Sequence, residues 1–519
     1  MRKGRVLVSI ILLLILSSSL LLRFYGLKSK GLVMFDEAWY LLETRFFLNL
    51  LKGDEYLKLL SACPPSMDRE LRLQDFGFPL RSYKPGHLLL MTILSLIIGL
   101  RDYTGLFLSA IAGVVTIYLT YLLGRFLYNE KTGVLASFLL AFMPYHIFYS
   151  RSGFAEMDST LFFLLALLIY LAKRSTLGLV LSGLTFGFSI TCNFRMSIFL
   201  LLFILSEWYI FMKEWRGLGL LIMRLLLFIL SLLLPILIFE LYSIALHSSY
   251  PILRDFPTYL GSLKVMLNKN RPIPPDPFPF LLFLLRLVGP IYCLLFIIGM
   301  ILLLRRHTFK DLFIVGVFLI PFILYSFITS FTTGPRTLCP SLPAIAIIIA
   351  CGILNIVTRF RLQHCLMVLV LLFGLFINGF EGYRILRLKS GYKEAVQYII
   401  DHGSPKYLTT SRVKSVFYHT SQYSLWAPYN LEELKWFHNM GCGYLLLDQR
   451  KYTKRDRIAF VKLIQNIATP CHEVPNNVGR YWVHFYDDGL GDMVDEILDD
   501  ESFGKILIYD LGKIFEVKG

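Results

Sequence analysis

Eleven apolar runs crowd the first 380 residues of this 519-residue chain, and no other feature constrains its fold so tightly. They lie at 6–22, 104–124, 132–149, 158–172, 177–192, 196–212, 218–246, 280–304, 311–331, 337–357 and 363–380. A bilayer core about 30 Å thick is crossed by about 20 apolar residues of helix, and most of these runs come near that length. Apolar residues make up 56% of the chain and charged ones 17%, against about 45–50% and about 25% in soluble proteins. An ordinary soluble enzyme is thereby excluded. Residues 381–519 have balanced charge, so the net +16 is carried by residues 1–380. A basic chain raises the thought of nucleic acid. Here the Lys and Arg flank hydrophobic spans, which is what membrane topology requires.

The run Val6–Leu22 follows Met1-Arg2-Lys3-Gly4-Arg5 and continues into Arg23-Phe24-Tyr25 without a small-residue cleavage site. It reads as an uncleaved first span with its basic end inside. Leu88–Leu100 is apolar but short. If 85–100 lies along the surface, the inner segments carry 14 Lys and Arg against three acidic residues, counting Asp311 at a border. The short outer loops then carry only Arg151, Arg195 and Arg336. If 85–100 crosses, every later loop breaks the positive-inside rule. The expected architecture is therefore a polytopic α-helical membrane protein with about 11 transmembrane helices and an interfacial helix at 85–100. Residues 1–380 form the membrane module, with a long first outer loop at 26–103. Residues 381–519 form a soluble α/β domain outside the membrane.

Eight cysteines occur without a C-x-x-C pair, so zinc ribbons and thioredoxin-like motifs have no support. Cys442 and Cys471 are the pair available for a disulfide in an extracytoplasmic tail. In that tail, 392–401 is an amphipathic helical pattern that stops at His402-Gly403-Ser404-Pro405. Tyr407–Thr410 and Tyr444–Asp448 read as buried strands, and Asn430–Asn439 and Lys454–Ile467 as helices. The acidic stretch Gly489–Glu501 reads as solvated surface.

The topology gathers carboxylates on the outer side. Phe35-Asp36-Glu37-Ala38-Trp39-Tyr40 follows the first span closely, and adjacent carboxylates beside a bilayer are costly unless used or solvated. Asp36 suits either the N-cap of a helix over Glu37–Leu51 or a general base taking a proton from an attacking hydroxyl. The second outer loop, Arg151-Ser152-Gly153-Phe154-Ala155-Glu156-Met157-Asp158, faces the first. Glu156 and Asp158 there suit a metal ion or polar hydroxyls, and Asp158 equally suits a helix cap. Lys84, Arg151, Arg195 and Arg336 are the outer cations, each able to grip a phosphate or to anchor at the interface. His87 and His146 lie near the same surface, where a lone His is commonly a hydrogen-bond partner. Arg271-Pro272-Ile273-Pro274-Pro275-Asp276-Pro277 reads as a stiff linker.

As an ordered set, these residues resemble the GT-C membrane glycosyltransferases, especially the branch of protein O-mannosyltransferases and lipid A aminoarabinose transferase. Asp36-Glu37-Ala38 resembles that family's first-loop acidic motif. Tyr83-Lys84-Pro85-Gly86-His87 is similar to its Lys-Pro start of an interfacial helix, with Gly86 where a second proline is frequent. Tyr149-Ser150-Arg151 through Glu156-Met157-Asp158 resembles the second acidic loop. Asn193-Phe194-Arg195 sits where the family often has Lys, and Gly334-Pro335-Arg336 with Leu338 and Pro343 is similar to its late Pro-Arg motif. The resemblance implies an inverting transfer of one sugar from a polyprenyl-phosphate donor to a hydroxyl of a protein, lipid or glycan at the outer face of the inner membrane. It implies catalytic Asp36 and Glu37, donor-phosphate contacts from Lys84, Arg336, Arg151 and Arg195, and acceptor or sugar contacts from Glu156, Asp158 and His87. No metal is expected to be required, with Mg²⁺ or Mn²⁺ at Asp36, Glu156 and Asp158 as the alternative. A transporter or flippase for a lipid-linked solute is the competing reading, although it calls for charged groups and broken helices at mid-membrane. The main candidates for such groups are Arg224 and Glu240. A non-catalytic membrane scaffold would make Asp36 replaceable.

Overall fold

The computed structural model describes residues 2–53, 84–172, 175–214, 217–250, 258–261, 264, 288–325, 335–359, 364–403, 406–419, 423–448, 455–478 and 504–516. Where they are described, the eleven apolar runs are helical apart from Phe142 and Met143, at the break within 132–149, and Gly289, just before the helix Pro290–Arg306. The segments 271–277 and 489–501, Tyr83 and Gly334 fall outside the described residues.

Among the described residues, six stretches are long and apolar enough to cross a bilayer: Val6–Lys30, Thr104–Leu127, Ala155–Ala172, Phe194–Lys213, Leu218–Ser249 and Arg336–Val357. The helices Glu130–Ala141 and Pro144–Ser150 form an apolar pair bent by 66°, a broken span or a re-entrant turn. Pro144 explains the bend, because it has no N–H for a continuing helix and its ring would meet the carbonyl four residues back. Pro85–Ile98 has 14 residues, or about 21 Å of helix, which falls short of the roughly 30 Å core. Large apolar side chains stand exposed on the bundle's outside, among them Ile97, Leu230, Leu241 and Phe376. A contiguous exposed apolar face of this kind suits lipid, not water.

Inside, the helices approach closely where glycines remove side chains. A Cβ on Gly187 would lie 2.1 Å from the Leu232 carbonyl oxygen, and one on Gly299 would lie 2.2 Å from that of Ile348. Without a hydrophobic drive between helices in lipid, such backbone contact is a main source of packing energy. Two ionic groups are buried in this packing. Arg224 makes two 2.8 Å bonds to Glu207, which also accepts from Tyr170 at 2.9 Å. Asp311 accepts from Arg306, Thr308 and Tyr128. Tyr128 and Asp102 flank the 24-residue helix Thr104–Leu127, so these two residues mark ends of the bundle about 36 Å apart. Glu240 accepts from the Leu260 N–H. Both Arg224 and Glu240 therefore have structural partners.

The tail packs at the Asp102 end. The helix His364–Leu386 runs past the expected boundary at 380. After it come the helix Tyr392–Asp401 and a five-stranded sheet: β1 (Tyr407–Thr409), β2 (Ser424–Trp426), β3 (Tyr444–Asp448), β4 (His472–Pro475) and β5 (Lys505–Asp510). The order is β2-β1-β3-β5-β4, with β1 parallel to β2 and β3, and β5 antiparallel to β3 and β4. The expected helices appear at Leu431–Asn439, capped by Asn430, and at Arg455–Ile467. Cys442 and Cys471 are both free. Cys471 donates to the Ile508 carbonyl instead.

The least expected feature is a set of buried cations at helix ends. The last four carbonyls of a helix lack internal partners and carry partial negative charge. Arg151 donates to Leu22, Arg23 and Tyr25 carbonyls at 3.0, 3.1 and 2.8 Å, closing the first helix. Arg23 donates to the carbonyl of Ala141, where the bent span breaks, and bonds His146 Nδ1 at 2.7 Å. Lys30 donates to the Arg151 carbonyl, just after Pro144–Ser150. All three side chains are at most 2% exposed. Replacing Arg151 with Met should strand three carbonyls and cost about 3 kcal/mol or more. It should be read as a lowered Tm in detergent with unchanged donor affinity of the folded protein; lost donor affinity at unchanged Tm would assign Arg151 to the ligand instead.

Candidate active site

Asp36 lies in the first turn of the helix Phe35–Leu51, whose N-cap is Met34. It is therefore not the cap itself, and the helix begins one residue before the carboxylate. The capping role falls to Glu37. Its Oε2 accepts from the N–H groups of Val33 and Met34 at 2.8 and 2.9 Å, and its Oε1 accepts from Gly153 N–H at 3.1 Å. A carboxylate at the third helical position reaching back to the chain before the helix is the capping-box arrangement. Glu37 is 2% exposed, and both its oxygens are held by backbone. It ties the first acidic loop to the second.

Asp36 itself meets Arg336. The Nη1 of Arg336, in the 3-10 turn Pro335–Ser341, lies 2.8 Å from Asp36 Oδ2. Burial pushes the Asp36 carboxyl up, but Arg336, Lys84 and Arg195 outweigh it and hold the pKa below its ordinary value. The carboxylate is thus ionised at neutral pH. One helical turn on, Tyr40 is buried in the same group. Lys84 Nζ sits 5.1 Å over the Tyr40 ring. Lys84 is 7% exposed and precedes Pro85 at the start of the short helix. Burial lowers its pKa, opposed by Glu156.

Glu156 and Asp158 lie in the first turn of Ala155–Ala172, where the helix dipole favours anions. Asp158 is therefore not an N-cap either. Its Oδ2 is 2.6 Å from His87 Nδ1, and the pair is almost fully buried. The His87 ring meets the Tyr40 ring edge-on, with centroids 4.8 Å apart. Glu156 Oε1 is 3.6 Å from Arg195 Nη1 and 4.0 Å from Arg336 Nε. Neither oxygen of Glu156 receives a hydrogen bond among the described residues, nor do Asp158 Oδ1, His87 Nε2 and Arg195 Nε. Buried polar atoms without partners are costly, and polar groups of a bound ligand would satisfy them here.

Asp36, Lys84, Glu156, Arg195 and Arg336 are thus brought together from five segments, with His87 and Asp158 behind them. Arg151 stands apart from them: its Nη1 bonds helix carbonyls, while its Nε and Nη2 have no hydrogen-bond partner among the described residues. The three cations outnumber the two front carboxylates, which suits an anionic ligand. Among the described residues no group of three His, Cys, Asp or Glu is placed to hold a metal. Tyr40 and Phe154, whose ring lies 5.9 Å from Arg336, were not singled out from sequence. The spacing of four from Asp36 to Tyr40 on one helix is the signal that finds Tyr40.

Gly86 has a steric reason. A Cβ there would lie 2.5 Å from Thr191 Oγ1 and 2.9 Å from Cys192 N. The short helix docks against the end of Thr176–Cys192 at backbone distance, and no second proline fits. From Pro85 an apolar groove of about 300 Å³ runs between three helices, lined by Phe47, Leu51, Leu88, Leu89, Phe239 and Tyr242 among others.

Residues 82–240 match the family model described as dolichyl-phosphate-mannose-protein mannosyltransferase. That stretch contains Lys84, His87, Glu156, Asp158 and Arg195, and leaves Asp36 and Arg336 outside. The structure is similar to apo ArnT from Cupriavidus metallidurans, at 12% identity over 89% of this chain and 96% of that one, with a TM-score of 0.58. It is also similar to the Archaeoglobus fulgidus oligosaccharyltransferase tethered with an acceptor peptide, at 12% identity, 88% and 72% coverage and a TM-score of 0.54. The same archaeal enzyme with an inhibitory peptide and a dolichol-phosphate gives 13%, 86% and 70%, and 0.52. No curated protein sequence matches the chain. At these identities the likeness is one of fold, and the fold is GT-C, as the ordered motifs imply.

Proposed function

We propose that this chain is an inverting glycosyltransferase that moves one sugar from a polyprenyl-phosphate donor to a hydroxyl of a protein acceptor at the outer face of the inner membrane. The observation that carries the reading is the Asp36–Arg336 pair, held among Lys84, Arg195 and Glu156 beside an apolar groove. A donor of this class is an apolar chain ending in a phosphate, and the groove begins one residue from Lys84. The dolichol-phosphate and the peptides bound by the archaeal neighbour support a lipid-linked donor and a protein acceptor, as does the description of the matching family model. The basic loops support a cytoplasmic N-terminus and an extracytoplasmic tail.

In this reading the acceptor oxygen attacks the anomeric carbon while the bond from that carbon to the phosphate oxygen breaks. The hydroxyl proton passes to Asp36. The phosphate leaves with an added negative charge, which Arg336, Lys84 and Arg195 stabilise in place. Glu156, with neither oxygen hydrogen-bonded, takes sugar or acceptor hydroxyls, and the His87–Asp158 pair backs Tyr40. Three cations stand where a divalent ion would otherwise neutralise phosphate, so no metal is required.

Asp36→Asn should abolish turnover and keep donor binding, whereas Arg336→Ala should weaken both. The Arg336 change should cost about 2–4 kcal/mol, roughly 30- to 1,000-fold in kcat/KM. Transfer assays with purified protein, a polyprenyl-phosphate sugar and hydroxyl-bearing peptides check this, and a fully active Asp36→Asn sinks the assignment of the base. EDTA should leave turnover unchanged; loss restored by Mn²⁺ would reverse the metal reading. The pH profile has a definite sign. A carboxylate whose pKa is lowered loses its proton-accepting form only below its ordinary value of about 4, so kcat should hold on acidification to that range. Arg336→Ala removes the largest opposing charge and leaves the upward push of burial. Its acid limb at saturating donor should therefore move to higher pH.

A further inference from the structure

Residues 31–34 join the first span to the helix of Asp36, and Leu32, Val33 and Met34 are at most 1% exposed. A buried segment outside helix and sheet must find partners for its backbone elsewhere. Glu37 satisfies two of its N–H groups. Two more of its backbone groups meet the tail, nearly 400 residues later in sequence. Tyr418 Oη accepts from Leu32 N–H at 3.3 Å, and Lys414 Nζ donates to the Val33 carbonyl at 2.5 Å. Ser390 N–H donates to the Lys30 carbonyl at 2.7 Å. On the same helix as Asp36, Arg45 donates to the Phe417 carbonyl at 3.0 Å and lies 5.1 Å over the Phe417 ring. The Tyr418 hydroxyl also donates to Asp102.

We propose that Lys414 and Tyr418 are positioning residues for the reaction, fixing the backbone of 32–33 and thereby the helical turn on which Asp36 meets Arg336. The inference rests on Asp36 being the base. Its physical content is short range. Only Met34 and Phe35 lie between Val33 and Asp36, and the helix starts at Phe35, so the segment has little slack to absorb a shift. Lys414 is 2% exposed and its ammonium lies 4.6 Å over the Tyr392 ring. A buried ammonium that donates to a carbonyl and lies over an aromatic face is held in place from both sides.

The test uses the full-length protein in detergent, with Lys414→Met, Lys414→Arg and Tyr418→Phe. Displacing a reacting group by about 1 Å costs up to about 100-fold. Lys414→Met should lower kcat by about 10- to 100-fold, while the Kd for polyprenyl phosphate stays within about twofold. Lys414→Arg, which restores a donor, should recover most of the loss. The acid limb of kcat should also rise in Lys414→Met. Asp36 faces Arg336, Lys84, Arg195, Glu156 and Tyr40, and loosening it from the three cations leaves burial to raise its pKa. Should Lys414→Met not fold, Tyr418→Phe, which removes a single oxygen, decides the matter by the same readouts. Unchanged kcat, or kcat falling only with the folded fraction and with an unmoved acid limb, overturns the proposal. The two layers separate cleanly: an active Asp36→Asn defeats the base assignment, whereas an inactive Asp36→Asn with normal tail variants defeats only the positioning role.

Discussion

Charge inside a weakly polarisable bundle is the constraint on which this structure depends. An ion taken out of water loses several kcal/mol of solvation even after relaxation, so each buried charge must be met by an opposite charge or a fixed dipole. The protein uses both solutions, in separate places. Arg23, Lys30 and Arg151 face the carbonyl ends of helices and are nearly sealed from solvent. Glu207 with Arg224, and Asp311 with Arg306, are paired at hydrogen-bond distance. In the candidate site the pairing is incomplete: Glu156 stands 3.6 Å and 4.0 Å from its two arginines, and neither oxygen receives a hydrogen bond. A site with charge left uncompensated is one that a polar substrate completes.

The same constraint explains what could be read from sequence. Apolar runs and the Lys-Pro, Asp-Glu and Pro-Arg signals are local, and they located the helices and five of the charges that converge. The pairing of those charges is not local. Nothing in the order of residues says that Arg151 belongs to the end of the first helix while Arg195, a short distance further along the chain, belongs to the site. Both are outer-loop arginines beside apolar runs, and only the direction of nearby carbonyls separates them. Glu37 was obscured for a related reason. Adjacent carboxylates look alike in sequence, yet helix geometry aims Asp36 towards Arg336 and turns Glu37 back onto the preceding backbone. In the tail, the buried strands β1 and β3 were legible in Tyr407–Thr410 and Tyr444–Asp448. β2 is only partly buried and β4 begins with exposed His472-Glu473, so neither carries a pattern that stands out.

Packing and chemistry meet at the short helix Pro85–Ile98. Its first residues present Lys84 and His87 to the charged group, its apolar face lines the groove, and Gly86 lets it lie directly on the end of Thr176–Cys192. A helix too short to cross a bilayer can lie where apolar and charged surroundings join. The departure from a double proline is therefore a local steric solution that keeps the neighbouring lysine in register.

The sequence distances of the key contacts carry a consequence for biosynthesis. The first helix emerges earliest, yet its end is closed by a residue 126 to 129 positions later. Asp36 waits 300 residues for Arg336, and Val33 waits 381 for Lys414. A ribosome adding residues one by one releases the whole membrane portion before the last of these partners exists. The nascent protein thus inserts its spans first, and the turn that carries Asp36 gains its Lys414 contact only afterwards.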